Sequence, residues 1–173
     1  ESSEIIRMFN SAFATVTDDA QDFYPTALRE TIDAINERIY NTLNNGVYRC
    51  GFATTQAAYE ESLEPLFDTL DWLDAILSDQ AYLAGPSITE ADWRLFVTLV
   101  RFDTVYVSHF KCSKRRIVDY PHLSNYLRQL YQWPGVAETI RFDHIKPHYF
   151  ASHESINPTR IVPVGPMIDF NAP

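Results

Sequence analysis

The sequence predicts an all-α fold. Three observations predict it: spacings of three and four between apolar residues recur, strict apolar/polar alternation is hard to find, and only 5 glycines are spread over 173 residues without a repeat. The composition is 46% hydrophobic and 21% charged, at a length one domain fills. Disordered, collagen-like and disulfide-scaffold classes are excluded. At this size roughly 70% of the unfolded surface can be buried, so a core needs no metal or disulfide to hold it.

Ile5, Ile6, Met8, Phe9 and Phe13 mark a first short helix, ended by the polar stretch TVTDDAQD and a solvated loop. Tyr24-Pro25 opens a second helix, with proline near its first turn and Leu28, Ile32, Ile35, Ile39 and Tyr40 as its buried stripe. The segment NNGVYRCGF is expected to break it. Thr54 and Thr55 can cap a long acidic third helix, in which Leu63, Leu66, Phe67, Leu70, Leu73 and Leu77 recur at helical spacing.

SITEADWRLFVTLVRFDTVY is the most apolar segment and is expected to be the central buried helix. At its start Thr89 and Asp92 have capping-box spacing: the hydroxyl can cap the Asp92 amide while the carboxylate reaches back to the Thr89 amide, and Ile88 and Trp93 can staple the entry. Tyr120-Pro121 begins a helix through Leu123, Tyr126, Leu127, Leu130 and Tyr131, stopped at Trp133-Pro134-Gly135. A short helix from Val136 to about Phe142 is expected next. Residues 143–173, rich in proline, are expected to wrap over the helices as an irregular tail held by Ile161, Val162, Val164, Met167, Ile168 and Phe170.

Lys and Arg total 14 against 23 Asp and Glu, a net charge of -9, so the average surface repels nucleic acid and anionic membranes. Neither is an expected partner. The two cysteines, Cys50 and Cys112, are too few for a secreted framework, and with no signal-peptide pattern the expected location is cytoplasmic. The chain opens on Glu1 and enters a helix pattern at once, which reads as a start inside a longer protein.

The stapled box ITEADWRLF, between an acidic helix and the YPHLSNYLRQLYQWPGV helix, resembles the helical C-terminal domain of glutathione transferases. ESSEIIRMFN, NNGVYRCGFATTQAAYE, TLVRFDTVYVSHFKC and FDHIKPHYFASHESINPTRIVPVGP are more specific. Together they resemble the glutathionyl-hydroquinone reductases, also called xi-class or omega-like glutathione transferases, over essentially the whole chain. The resemblance implies a glutathione-transferase C-terminal-like domain over residues 1–173. It also implies a preceding thioredoxin-like domain, absent from this chain, that carries the nucleophilic cysteine, so that this chain alone is expected to be inactive. A homodimer, with glutathione as co-substrate and glutathionylated hydroquinone as substrate, follows from the same likeness.

The resemblance also implies site residues. Glu1 and Ser2 match a Glu-Ser pair that holds the γ-glutamyl end of glutathione; from sequence alone the pair reads as a helix cap. Tyr48 and Tyr149 match the tyrosines that hold the hydroxyls of the hydroquinone ring, where a phenol can donate to the oxygen on which negative charge grows. In a chain with 10 tyrosines the bland reading of each is packing with a hydrogen-bonded tip.

Other chemistry-bearing residues read as structural. Cys50 and Cys112 lack a CxxC or helix-start context and are expected to be inert, although the four cations of HFKCSKRR could favour a Cys112 thiolate open to oxidants. Asp143, His144, His148 and His153 lack a metal pattern, and Pro147 argues against a helix aligning His144 with His148, so no metal is expected. Arg94, Arg101 and Asp103 are expected to form buried ion pairs, with Arg101 also able to help bind an anionic ligand. KCSKRR reads as a solvated turn. Two other functions fit the fold: a non-catalytic scaffold or dimerisation module, and a transferase that conjugates glutathione through a serine or tyrosine of the absent domain.

Overall fold

The structure, a computed structural model, describes residues 2–13, 15–16 and 21–172. It is helical, with no strand among the described residues. α1 spans Ser2–Ala12, α2 Arg29–Ile39, α3 Gly46–Phe52 and α4 Gln56–Asp79. α5 spans Glu90–Arg101, α6 Val107–His109, α7 Pro121–Tyr131 and α8 Phe142–Ser152. α3 and α7 both pack on α4, while α2 and α7 pack on α5. Most of the expected stripes form the core: Ile32, Ile39, Leu66, Leu70, Leu73, Leu95 and Leu99 are buried, and each such side chain contributes ~1.5–3 kcal/mol on leaving water. Tyr40, expected in the buried stripe of α2, is instead exposed and opens the π turn that follows it.

Capping sets two starts. Thr55 Oγ1 accepts from the Ala58 amide at 3.2 Å. At α5 the Asp92 carboxylate, fully buried, accepts from the Thr89 amide at 2.7 Å, as the box expects, and from the Thr89 hydroxyl at 2.9 Å, while the Asp92 amide donates to the Thr89 carbonyl at 3.2 Å. Asp92 also accepts from the Leu83 amide at 2.9 Å and the Tyr126 hydroxyl at 2.7 Å, so one carboxylate ties the preceding loop and α7 to the start of α5.

Several expectations fail for identifiable reasons. NNGVYRCGF does not break the helical run: a π-helical turn, Tyr40–Asn44, leads almost directly into α3. Gly51 serves close packing instead. A Cβ on Gly51 would lie 2.0 Å from the Phe110 ring, so only glycine lets α3 approach it. Pro147 does not prevent α8, because the ring sits on the exposed side and deprives only the Asp143 carbonyl in the exposed first turn, while Tyr149 and Phe150 are buried. The irregular tail therefore starts after Ser152, not at residue 143. Between Val136 and Phe142 there is one 3-10 turn, Ala137–Thr139, and Ile140 is extended.

The tail is only partly packed. Phe170 is buried, its ring stacked 4.8 Å from Tyr131 and 5.4 Å from Phe142, and Ile168 lies against the core. Ile161, Val162, Val164 and Met167 are exposed, contrary to expectation. The apolar residues of α1 are likewise exposed, and α1 is held by charge instead. Arg7 donates to Glu90 at 2.9 Å and to Asp33 at 2.5 Å, with its guanidinium 3.9 Å from the centre of the Tyr24 ring. Half of the expected TVTDDAQD loop, residues 17–20, lies outside the described residues.

Candidate functional site

Two helical walls face each other across a cavity of about 380 Å³. On one, Tyr40, Asn44 and Tyr48 follow at intervals of four along the π turn and α3. On the other, Arg94, Val97, Thr98 and Arg101 form the i, i+3, i+4, i+7 stripe of α5. Asn44 joins the walls, donating to the Arg94 carbonyl at 3.2 Å and the Thr98 hydroxyl at 2.7 Å. Ser2, in the first turn of α1, borders the cavity. It is held there through Arg7, whose partner Glu90 is buried and also accepts from Asn36 at 2.9 Å.

Tyr106 and Tyr149 complete the lining. The Tyr149 hydroxyl shares a hydrogen bond of 2.7 Å with that of Tyr48 and one of 3.0 Å with that of Tyr106. The three phenols form a chain from the core to the cavity, with Tyr106 and Tyr149 buried and Tyr48 exposed. Burial pushes the Tyr149 phenol up to about 12, against the opposing charge of Arg101, and raises Tyr106 far higher. Both therefore stay protonated at neutral pH and keep a proton to donate. Both π turns serve this site, Tyr40–Asn44 supplying one wall and Phe102–Tyr106 carrying the third phenol.

An aromatic wall stands behind the tyrosines. Phe110 stacks on Tyr106 with centroids 5.5 Å apart and planes 4° off parallel, and it also packs against Tyr48, Tyr149 and His153. The His153 ring meets that of His109 at 3.0 Å. Burial first, and then the charge of His153, hold His109 down to about 4, and burial also lowers His153.

Of the residues expected at a site, Ser2, Tyr48 and Tyr149 border this one cavity; Glu1 lies outside the described residues. Tyr106, Asn44 and Thr98 were not anticipated. The stripe from Arg94 to Arg101 was a legible signal, three polar residues on one face of an apolar helix, whereas nothing marked Tyr106 within its apolar run. Arg94 pairs with Glu90 at 3.5 Å. Among the described residues Asp103 makes no such pair: it accepts from the Ile117 and Val118 amides at 2.7 and 3.0 Å, and burial raises its carboxyl.

The Cys112 thiolate is not favoured. Hydrogen bonding to Cys50 and burial raise the Cys112 thiol, and Lys114, Arg115 and Arg116 turn instead to Glu64, Asp71 and Asp119. Among the described residues no group of three or more metal-ligating side chains gathers.

Residues 56–129 match the family described as glutathione S-transferase, C-terminal domain. The glutathionyl-hydroquinone reductase PcpF of Sphingobium chlorophenolicum is 60% identical over 166 residues, which cover 96% of this chain and 53% of that protein. The glutathionyl-hydroquinone reductase YqjG of Escherichia coli K12 is 56% identical over all 173 residues, covering 53% of its length. The solved glutathione-bound structure of YqjG superposes with a TM-score of 0.98 at 55% identity, covering 100% of this chain and 56% of that one. A xi-class glutathione transferase from Natrialba magadii also gives 0.98, at 50% identity, covering 100% of this chain and 53% of that one. The chain thus spans about half the length of the curated relatives it matches.

Proposed function

Because this chain belongs to the xi-class glutathione transferases, as their C-terminal helical domain, we propose that it supplies the ring-binding half of a glutathionyl-hydroquinone reductase. The hydrogen bond between Tyr48 and Tyr149, at a cavity that Ser2 also borders, is the observation that carries this reading. Tyr48 and Tyr149 hold the hydroxyls of the hydroquinone, and Glu1 and Ser2 hold the γ-glutamyl end of glutathione. The residues fit these ligands: phenols for ring oxygens, and a hydroxyl at a helix start for a carboxylate.

In this mechanism a cysteine thiolate of a thioredoxin-like domain, outside this chain, attacks the glutathionyl sulfur. The bond from sulfur to ring carbon breaks, and the ring leaves with the electron pair and takes a proton. A second glutathione then attacks the mixed disulfide, releasing glutathione disulfide and restoring the thiol. The ring is reduced and two glutathione sulfurs are oxidised. Because Tyr149 keeps its proton at neutral pH, it donates a hydrogen bond to the ring oxygen as charge develops there. We propose a homodimer in the cytoplasm as its working state.

The test is glutathione-dependent reduction of a glutathionyl-hydroquinone, assayed on this chain and on a longer form joined to its thioredoxin-like domain. An active longer form beside an inert chain supports the proposal. Activity in the chain alone overturns the division of labour, and silence in both leaves a scaffold.

A further inference from the structure

Among the described residues lining the cavity there are two guanidiniums, Arg94 and Arg101, and no carboxylate, in a chain whose net charge is -9. The two cations differ. Arg94 is turned toward Glu90 at 3.5 Å. Arg101 donates to the Val97 carbonyl at 2.5 Å, and among the described residues no carboxylate pairs with it. Its charge acts on the Tyr149 phenol, which places it in electrostatic reach of the hydroxyls that the ring would meet. A partly buried guanidinium with free donors beside a hydroxyl cluster matches a carboxylate, with its planar pair of acceptors.

We propose that Arg101 forms a carboxylate subsite beside the tyrosines, so that the cavity favours hydroquinone rings bearing an acidic substituent. This rests on the reading of the cavity as a ring site. Arg94, one helical interval of seven before it on the same face of α5, adds positive potential to the same wall. The other source of a carboxylate is the peptide part of glutathione, and the experiment separates the two.

This chain and its Arg101→Gln and Arg101→Lys variants are titrated calorimetrically with hydroquinone, with gentisate (a hydroquinone ring carrying one carboxylate) and with glutathione. The native chain is expected to bind gentisate about tenfold tighter than hydroquinone, as one charge-assisted contact allows. That ratio should shrink as salt is raised, collapse toward one in Arg101→Gln, and survive in part in Arg101→Lys. Equal binding of the two rings by the native chain overturns the subsite and leaves the ring site standing. Failure of both rings to bind overturns both. A ratio unchanged in Arg101→Gln, with glutathione binding lost, assigns the charge to the peptide and overturns the ring assignment.

Discussion

The hydroxyls of Tyr48 and Tyr149, 101 positions apart, share a hydrogen bond of 2.7 Å. α3 carries one and α8 the other, and Tyr106 meets Tyr149 from the core side at 3.0 Å. Tyr149 is therefore the hub of the phenol chain.

Tyr149→Phe removes that hub. If the chain works as proposed, turnover of a glutathionyl-hydroquinone by a form joined to a thioredoxin-like domain should fall by roughly tenfold to a hundredfold, the scale of one positioned proton donor. The buried Tyr106 hydroxyl loses its partner, at about 1–3 kcal/mol of stability. Steady-state kinetics beside urea unfolding check both; an unchanged rate removes Tyr149 from the mechanism.

Gly51 and Gly46 should respond differently to alanine, although both lie in α3. Gly51→Ala drives a methyl into the Phe110 ring and should cost about 1–3 kcal/mol while disturbing the tyrosines that Phe110 packs against. Gly46→Ala meets only Leu66, at an ordinary 3.6 Å, and should be neutral or stabilising by up to about 1 kcal/mol from helix propensity. Thermal or denaturant unfolding of the two variants makes the comparison.

Arg7→Gln leaves the buried Glu90 carboxylate with Asn36 and the more distant Arg94. A loss of about 2–3 kcal/mol is expected, less than for a fully stranded buried charge. Amide hydrogen exchange should rise along α1, and with it the position of Ser2 at the cavity should loosen. Unaltered exchange in α1 would show that other contacts hold it.

Acid should destabilise the fold through His109. Its folded value is depressed from 6.5 to about 4, so between those pH values the unfolded chain binds the extra proton. The contribution is present above about pH 6.5 and is lost as pH falls through about 4, amounting to roughly 3 kcal/mol. His153, also lowered, acts in the same direction. His109→Gln should flatten this part of the stability profile in urea melts run from neutral to acid pH.

Cys50 and Cys112 are both buried, and the Cys112 thiol is raised. Native protein at neutral pH should leave a disulfide reagent unconsumed over minutes, and both thiols should react once urea unfolds the chain. Rapid native reaction at either would contradict the packing.

Apolar spacing and capping residues by themselves determined the helical class, most of the stripes of α2, α4, α5 and α7, and starts at Thr54 or Thr55 and at Thr89, because these depend on near neighbours along the chain. Tyr48 and Tyr149 were found through their resemblance to a family, since spacing cannot tell a tyrosine that meets another hydroxyl from one that merely packs. Only the tertiary structure decided that Tyr106 joins them, that Gly51 admits Phe110 and that Asp103 caps amides. It alone left the apolar residues of α1 and much of the tail in solvent. The physical reason is one of range. Periodicity reports which face of a helix is apolar but not what that face meets, and each π turn inserts a residue that rotates the following face out of a simple helical count.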